Sequence, residues 1–279
     1  MNTTMSGALR QARIQTRIEL LSWTAVGWLI WPAIGLFVLF FLRDSSVMGS
    51  AISLAQLGIP GVAAMYLVTG GLMGISGGLM QEREDGTLLR AKAVPGAMGA
   101  HLLSGLLTYG AVSLLPTIAL VGLGGLLVEG IAPSTPGRWA LFLAFCTLGL
   151  AATMPAGALL GAALSGPLAL GIVSMGIYAT MAISGIFYPL ASLPTWLQWI
   201  GQVLPTYWLG VGLRAAMLPP EAAALEMGGT FHTGTAAVAL LVWTVVGLAL
   251  TPGVLRRMVR RQSGSVVAAA RDRVMAKGY

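Results

Sequence analysis

Long apolar runs alternate with short polar segments along almost the whole chain. Six of these runs reach the roughly 20 residues that a helix needs to cross a bilayer. The pattern therefore predicts an all-α polytopic membrane protein with six transmembrane helices. We expect them at residues 23–42, 54–80, 100–128, 139–164, 168–188 and 235–255.

A different pattern precedes the first run. Residues 5–21 carry basic side chains at helical spacings of three and four, and aliphatic side chains occupy the neighbouring arc. This arrangement predicts an interfacial helix, with the basic groups at the lipid headgroups. An ordinary positively charged flank would fit equally well. The residues concerned are Arg10, Arg13 and Arg17, with Ile14, Ile18 and Leu21.

Residues 189–234 do not form one more plain span, because Pro189, Pro194 and Pro205 interrupt the apolar pattern. Irregular backbone at membrane depth is tolerated only where protein or a cavity covers it. We therefore expect a pair of short helices that re-enter the outer leaflet between the fifth and sixth spans. An interfacial belt of aromatic residues remains an open alternative.

The composition supports a membrane location. The 279 residues are 56% hydrophobic and only 9% charged, whereas soluble domains carry about 25% charged residues. Of the sixteen Lys and Arg, thirteen fall on one side of the six-span topology, so both termini are expected in the cytoplasm. This distribution explains the net charge of +7 through topology, and no nucleic-acid partner is expected. The three outer basic residues are Arg43, Arg138 and Arg214.

Several kinds of chemistry are disfavoured by the residue types. The predicted spans carry no ionisable side chain well inside them, which argues against ion-coupled transport. The sequence has no G-x-x-x-x-G-K-[ST] phosphate loop. Its histidines, His101 and His232, fall on opposite sides of the predicted membrane, and His101 is expected at a helix end facing headgroups. With a single cysteine, Cys146, we expect no catalytic residue, metal site or bound cofactor on this chain.

One glycine pattern has two interpretations. Gly70, Gly74 and Gly78 repeat every four residues along the second run, and such ridges let helix backbones approach closely. We favour packing within one subunit over a seam between two copies.

The most highly charged internal stretch follows directly, at residues 81–95. It mixes both signs around a Gly-Thr step, which suits docking against another protein surface. A solvated loop between helices is the simpler alternative. The residues that we expect to make contact are Glu82, Arg83, Glu84, Asp85, Gly86, Thr87 and Leu88.

These residues, placed after a Gly-rich helix and before Pro95, resemble a segment of the ABC-2 type transporter permeases. The sequence departs from the commonest family wording at Asp85. About a hundred residues later, the stretch Ser184-Gly185-Ile186-Phe187-Tyr188-Pro189-Leu190-Ala191-Ser192-Leu193-Pro194-Thr195-Trp196-Leu197 is similar to the late motif of the same family. The re-entrant motif is represented by Pro189, Leu193, Pro194 and Trp196.

The resemblance implies a single transmembrane domain, 1–279, that is not itself an enzyme. Residues 81–95 would form a coupling helix between the second and third spans, and residues 256–279 a basic cytoplasmic tail. Two copies of a separate ATPase subunit would bind ATP and Mg, and two permease subunits would form a homodimer in the bilayer. Substrate would pass between the subunits, and flexible and aromatic groups suit that path. Our candidates, each of which helix packing could also explain, are Met175, Tyr178, Met181, Phe187 and Tyr188.

The expected function is export of a hydrophobic or amphipathic compound, such as a drug, an antibiotic or a lipid-like molecule. The Ala, Gly and Arg usage suggests a high-GC bacterium and therefore its inner membrane. Export of a polysaccharide or glycolipid, and a non-transporting membrane scaffold, remain alternatives.

Overall fold

The structure, a computed structural model, describes residues 2–21, 24–46, 52–88, 90, 97–127, 130–164 and 168–261. Residues 91–95 of the predicted coupling segment and residues 262–279 of the tail lie outside the described residues. The helices in chain order are α1 (Asn2–Leu21), α2 (Thr24–Phe41), α3 (Leu54–Thr69), α4 (Ile75–Glu84), α5 (Ala97–Leu127), α6 (Pro136–Ala163), α7 (Ala169–Ile183), α8 (Thr195–Val203), α9 (Pro205–Met217) and α10 (Thr233–Arg261). A π-helical turn at Gly70–Gly74 joins α3 to α4.

Among the described residues, four helices are long and apolar enough to cross a membrane, which supports a polytopic, helical membrane protein. The other two predicted spans correspond to α2 and α7 and stay predictions. With 15 residues, α7 extends about 22 Å at 1.5 Å per residue, less than the roughly 30 Å of a hydrocarbon core. The four helices are Leu54–Glu84, Gly99–Leu127, Pro136–Ala163 and Thr233–Met258.

The core is formed around α3 and α6, which pack against most of the other helices. Ile59 and Leu67 of α3 and Phe142 of α6 are fully buried. By contrast, α10 packs on α6 and exposes apolar side chains such as Val245 and Leu250 along its outer face. Exposed aliphatic groups at this density suit contact with lipid chains.

The glycine ridge of the second span packs inside the chain, which confirms the favoured interpretation. A Cβ atom at Gly70 would lie 1.7 Å from Ser113 Oγ, and one at Gly78 would lie 2.3 Å from Tyr109 Oη. On the opposite wall, a Cβ at Gly157 of α6 would lie 2.5 Å from the carbonyl oxygen of Gly71. The absence of side chains at these points lets α3 and α4 approach α5 and α6 closely.

Helix α1 packs lengthwise on the first half of α5. Ala8 and Ala12 are buried in this contact, and Ser104 Oγ donates a hydrogen bond to Gln15 Oε1 at 3.1 Å. The basic arc of α1 is exposed. The structure thus has a helix, Asn2–Leu21, over the residues predicted to form an interfacial helix, and its place at a lipid interface stays a prediction.

Two short helices, α8 and α9, occupy the region where we expected a re-entrant pair. The helix before them, α7, ends at Ile183, five residues before the predicted limit, because Gly185 turns the chain with φ +62°. Whether α8 and α9 enter the outer leaflet stays a prediction. Below, the end of the bundle that carries residues 81–90 is called the inner end, and the opposite end is the outer end.

Candidate functional site at the inner end of the second span

The charged segment begins as a direct continuation of α4, which carries Glu82, Arg83 and Glu84 on its last turn. The helix then breaks at Asp85 and Gly86. Gly86 adopts φ +77°, a conformation that side chains disfavour. Asp85 Oδ1 accepts a hydrogen bond from the Thr87 backbone N–H at 2.9 Å, and helical geometry resumes at Thr87. A tight turn at Asp85 and Gly86 therefore separates α4 from the helical geometry at Thr87.

The acidic groups of this turn face outward. Glu84 and Asp85 are exposed, and so is Arg90, whose Nη2 donates to Thr87 Oγ1 at 3.0 Å. Glu82, Arg83 and Thr87 are half-buried. Charged groups that are solvated and locally bonded can change partners at little cost.

Arg83 ties the segment to the neighbouring helix. Its Nη1 donates to the carbonyl oxygens of Gly161 at 3.1 Å and Leu164 at 3.0 Å. These carbonyls lie at the carboxyl end of α6, where the helix leaves acceptors unpaired and the dipole attracts a cation. Arg83 therefore links the segment to the carboxyl end of α6, so a displacement of the segment would be transmitted to that helix.

Leu88 anchors the segment a second time. Its side chain is 1% exposed and packs in a small cluster with Leu79 of α4 and Met258 of α10. In this structure its side chain is buried in the bundle, and the expected contact with another protein surface stays a prediction. The cluster connects the segment to α10.

Glu82 faces α5 and not the surrounding solvent. Its Oε1 lies 2.9 Å from His101 Nε2, and His101 Nδ1 lies 3.4 Å from Gln11 Nε2 of α1. His101 is only 9% exposed. The expectation that it faces headgroups is therefore wrong, because α1 covers this side of α5. Three elements (α1, α5 and α4) thus meet at one imidazole.

A second charged group, at the outer end, was not recognised in the sequence. Arg214 of α9 donates from Nε to Glu226 Oε1 and from Nη2 to Oε2 at 3.1 Å, and its Nη1 donates to the Gly185 carbonyl at 3.3 Å. The two side chains are 4% and 7% exposed. A lone arginine in an apolar helix could have signalled a buried partner. The pair joins α9, the turn after α7 and the outer loop.

A comparison with known families identifies the class of protein. The sequence model described as ABC-2 family transporter protein matches residues 43–251, which is most of the chain. This protein belongs to the ABC-2 transporter family. No curated protein matches the chain. As an ABC-2 permease it is a membrane component of transport and not itself the ATPase.

The ABC-2 region includes all five residues expected along a substrate path, but they do not form one surface. Met175 and Tyr178 lie on the exposed side of α7, and Phe187 is exposed just after it. Met181, only 3% exposed, is part of the core. Tyr188 is half-buried and its hydroxyl donates to the Ala182 carbonyl. The exposed part of this set is therefore Met175, Tyr178 and Phe187.

The late motif of this ABC-2 protein forms two turns in succession. Pro189 and Pro194 each precede a helical turn, and the Leu193 N–H donates to the Leu190 carbonyl at 3.1 Å. Leu193 is half-buried against the core, whereas Trp196 is exposed. The prolines fix φ at the start of each turn and so define the path from α7 to α8.

Among the described residues, no group of three or more His, Cys, Asp and Glu side chains could hold a metal ion. Cys146 is buried in α6.

Proposed function

We propose that this ABC-2 protein is the membrane-spanning permease of an exporter in a bacterial inner membrane. It moves a hydrophobic or amphipathic compound, such as a drug, an antibiotic or a lipid-like molecule, out of the cytoplasm or inner leaflet. Two copies of a separate cytoplasmic ATPase subunit bind ATP and Mg and supply the energy. A second copy of the permease completes the translocation path.

One observation carries this proposal: the exposed acidic turn at Glu84 and Asp85 is attached to three helices. It continues α4 directly, Arg83 binds the end of α6, and Leu88 packs on α10. A force applied to the turn by an ATPase is thereby distributed to three of the four long apolar helices. An unanchored solvated loop would absorb the same force in its own flexibility.

The second copy is supported by exposed apolar side chains on two helices. Phe37 and Phe41 of α2 and Met175 and Tyr178 of α7 are largely exposed in the single subunit. Lipid would also cover such side chains. However, exposed aromatic and methionine side chains suit an adaptable apolar path between two subunits.

The test is a charge reversal of the turn in the permease co-expressed with its ATPase. We expect Glu84→Lys with Asp85→Lys to reduce ATPase co-purification at least about tenfold, since like charges would then meet across the interface. Glu221→Lys, an exposed change at the outer end, serves as the control. Unchanged co-purification of the double variant would refute the docking role. In proteoliposomes, ATP hydrolysis stimulated by a cationic or neutral amphiphile checks the transport function.

A further inference from the structure

A partly open cavity of about 80 Å³ lies at the inner end, next to the charged turn. Four helices form its walls. The lining residues include Glu82 of α4, His101 and Gly105 of α5, and Leu248 and Leu255 of α10. The cavity therefore lies within one subunit and does not depend on a second copy.

The cavity has two chemically different parts. Glu82 and His101 lie at its inner end, whereas most of the remaining wall is aliphatic. Along α5, His101 and Tyr109 are eight residues apart, which corresponds to about 12 Å of helix. A molecule with one polar end and an apolar body fits this division.

The polar end contains one carboxylate in contact with one imidazole. Glu82 Oε1 lies 2.9 Å from His101 Nε2, which has no other partner in the described structure. A carboxylate has acceptor sites on both of its oxygen atoms. Glu82, which lines the cavity, can therefore contact His101 and also accept a hydrogen bond from a ligand.

The negative charge at this end comes from the Glu82 carboxylate, which lines the cavity. The nearby basic groups are already engaged: His101 contacts Glu82, Arg83 Nη1 binds the end of α6, and Arg90 Nη2 binds Thr87. A positive group on a ligand would be attracted to the carboxylate, and a carboxylate or sulfate would be repelled.

We propose that this cavity binds an amphipathic amine, with its ammonium group at the Glu82 carboxylate and its apolar chain against Leu248 and Leu255. The inference rests on the proposed export function, for which it names the substrate class. Binding is nevertheless a property of the single chain and is measured without the ATPase.

Gly105 makes the cavity testable. It lines the cavity, and a Cβ atom added there would meet no heavy atom within 4 Å. A side chain can therefore begin here without meeting the backbone, and Gly105→Leu is designed to fill the space. Gly122 lies on the same helix outside the cavity and has equally open surroundings, so Gly122→Leu is the matched control.

The experiment uses the purified full chain in phosphatidylcholine nanodiscs and a dodecylamine that carries a photoreactive diazirine on its chain. We expect labelling of peptides that contain residues 101–109 and 248–255, and competition by dodecylamine but not by dodecanoate. Gly105→Leu should reduce this labelling about tenfold, and Gly122→Leu should leave it unchanged. Glu82→Gln should weaken competition by dodecylamine about tenfold and leave competition by dodecanol as it is, because only the amine uses the charge.

Three results would overturn the proposal: labelling elsewhere in the chain, equal labelling of Gly105→Leu and the unaltered protein, or equal competition by dodecanoate. The Glu84→Gln variant separates this proposal from the proposed function. It should weaken ATPase co-purification and keep amine labelling, so failure of one property does not imply failure of the other.

Discussion

The two ends of the bundle use charged side chains in opposite ways. At the outer end, Arg214 and Glu226 are buried. Arg214 contacts both carboxylate oxygen atoms of Glu226 and also donates a hydrogen bond to the Gly185 carbonyl. At the inner end, Glu84, Asp85 and Arg90 are exposed and make at most local contacts. The outer charges thus complete the fold of the subunit, whereas the inner charges remain available to another molecule.

The difference predicts where a mutation affects stability and where it affects association. A buried ion pair that loses one partner leaves an uncompensated charge. An exposed charge can be removed with little effect on folding. The following four substitutions test this difference. They are ordered from the largest expected loss of stability to the smallest.

Glu226→Ala should lower the free energy of unfolding by about 4 kcal/mol, because Arg214 would stay buried without its carboxylate. Thermal unfolding in detergent measures the effect, and Glu221→Ala, an exposed change in the same outer loop, is the control. Combining Arg214→Met with Glu226→Leu should recover much of the loss. Equal unfolding temperatures for the Glu226 and Glu221 variants would show that the outer pair does not stabilise the fold.

Leu88→Ala should cost about 3 kcal/mol, since it opens a cavity between α4 and α10. Leu126→Ala, where the side chain is 83% exposed, should cost much less. The same unfolding measurement applies. If ATPase association fell while stability stayed constant, Leu88 would act on the partner and not as an anchor.

Arg83→Met should cost about 2 kcal/mol, because it removes charge-assisted hydrogen bonds to the end of α6 while keeping most of the side-chain length. Arg90→Met is the control, as Arg90 is exposed and bonded only within its own turn in the described structure. Hydrogen exchange of the last turn of α6 should rise in the Arg83 variant alone. Equal exchange in both variants would contradict the anchoring role.

Glu84→Gln should leave the unfolding temperature unchanged and weaken ATPase co-purification. The side chain is exposed, so its removal affects a partner more than the fold. Glu221→Gln should change neither property. A clear loss of stability in the Glu84 variant would remove the contrast between the two ends.

Local patterns predicted much of this structure. Long apolar runs predicted the four helices that, among the described residues, are long and apolar enough to cross a membrane, and the spacing of Gly70, Gly74 and Gly78 indicated close packing within the subunit. Each of these features depends on periodicity or on the backbone preference of one residue.

Features that depend on tertiary contacts were missed. Glu226 lies twelve residues after Arg214, across a turn whose geometry the sequence does not specify, so their pairing could not be inferred. His101 was expected at the surface because nothing in its own helix predicts the cover supplied by α1. Met181 shares a residue type with Met175 but lies on the opposite side of α7.

The π-helical turn limits which amino-acid substitutions the second span can accept during evolution. Its first two residues, Gly70 and Gly71, touch different helices: a Cβ at Gly70 would collide with Ser113 of α5, and one at Gly71 would lie 2.1 Å from Thr153 Oγ1 of α6. Enlargement at either position requires a smaller residue on the facing helix at the same time. Substitutions at Gly70 or Gly71 are therefore expected in pairs, one in the π-helical turn and one on the facing helix. The position of the second substitution identifies the helix that accommodates the larger side chain.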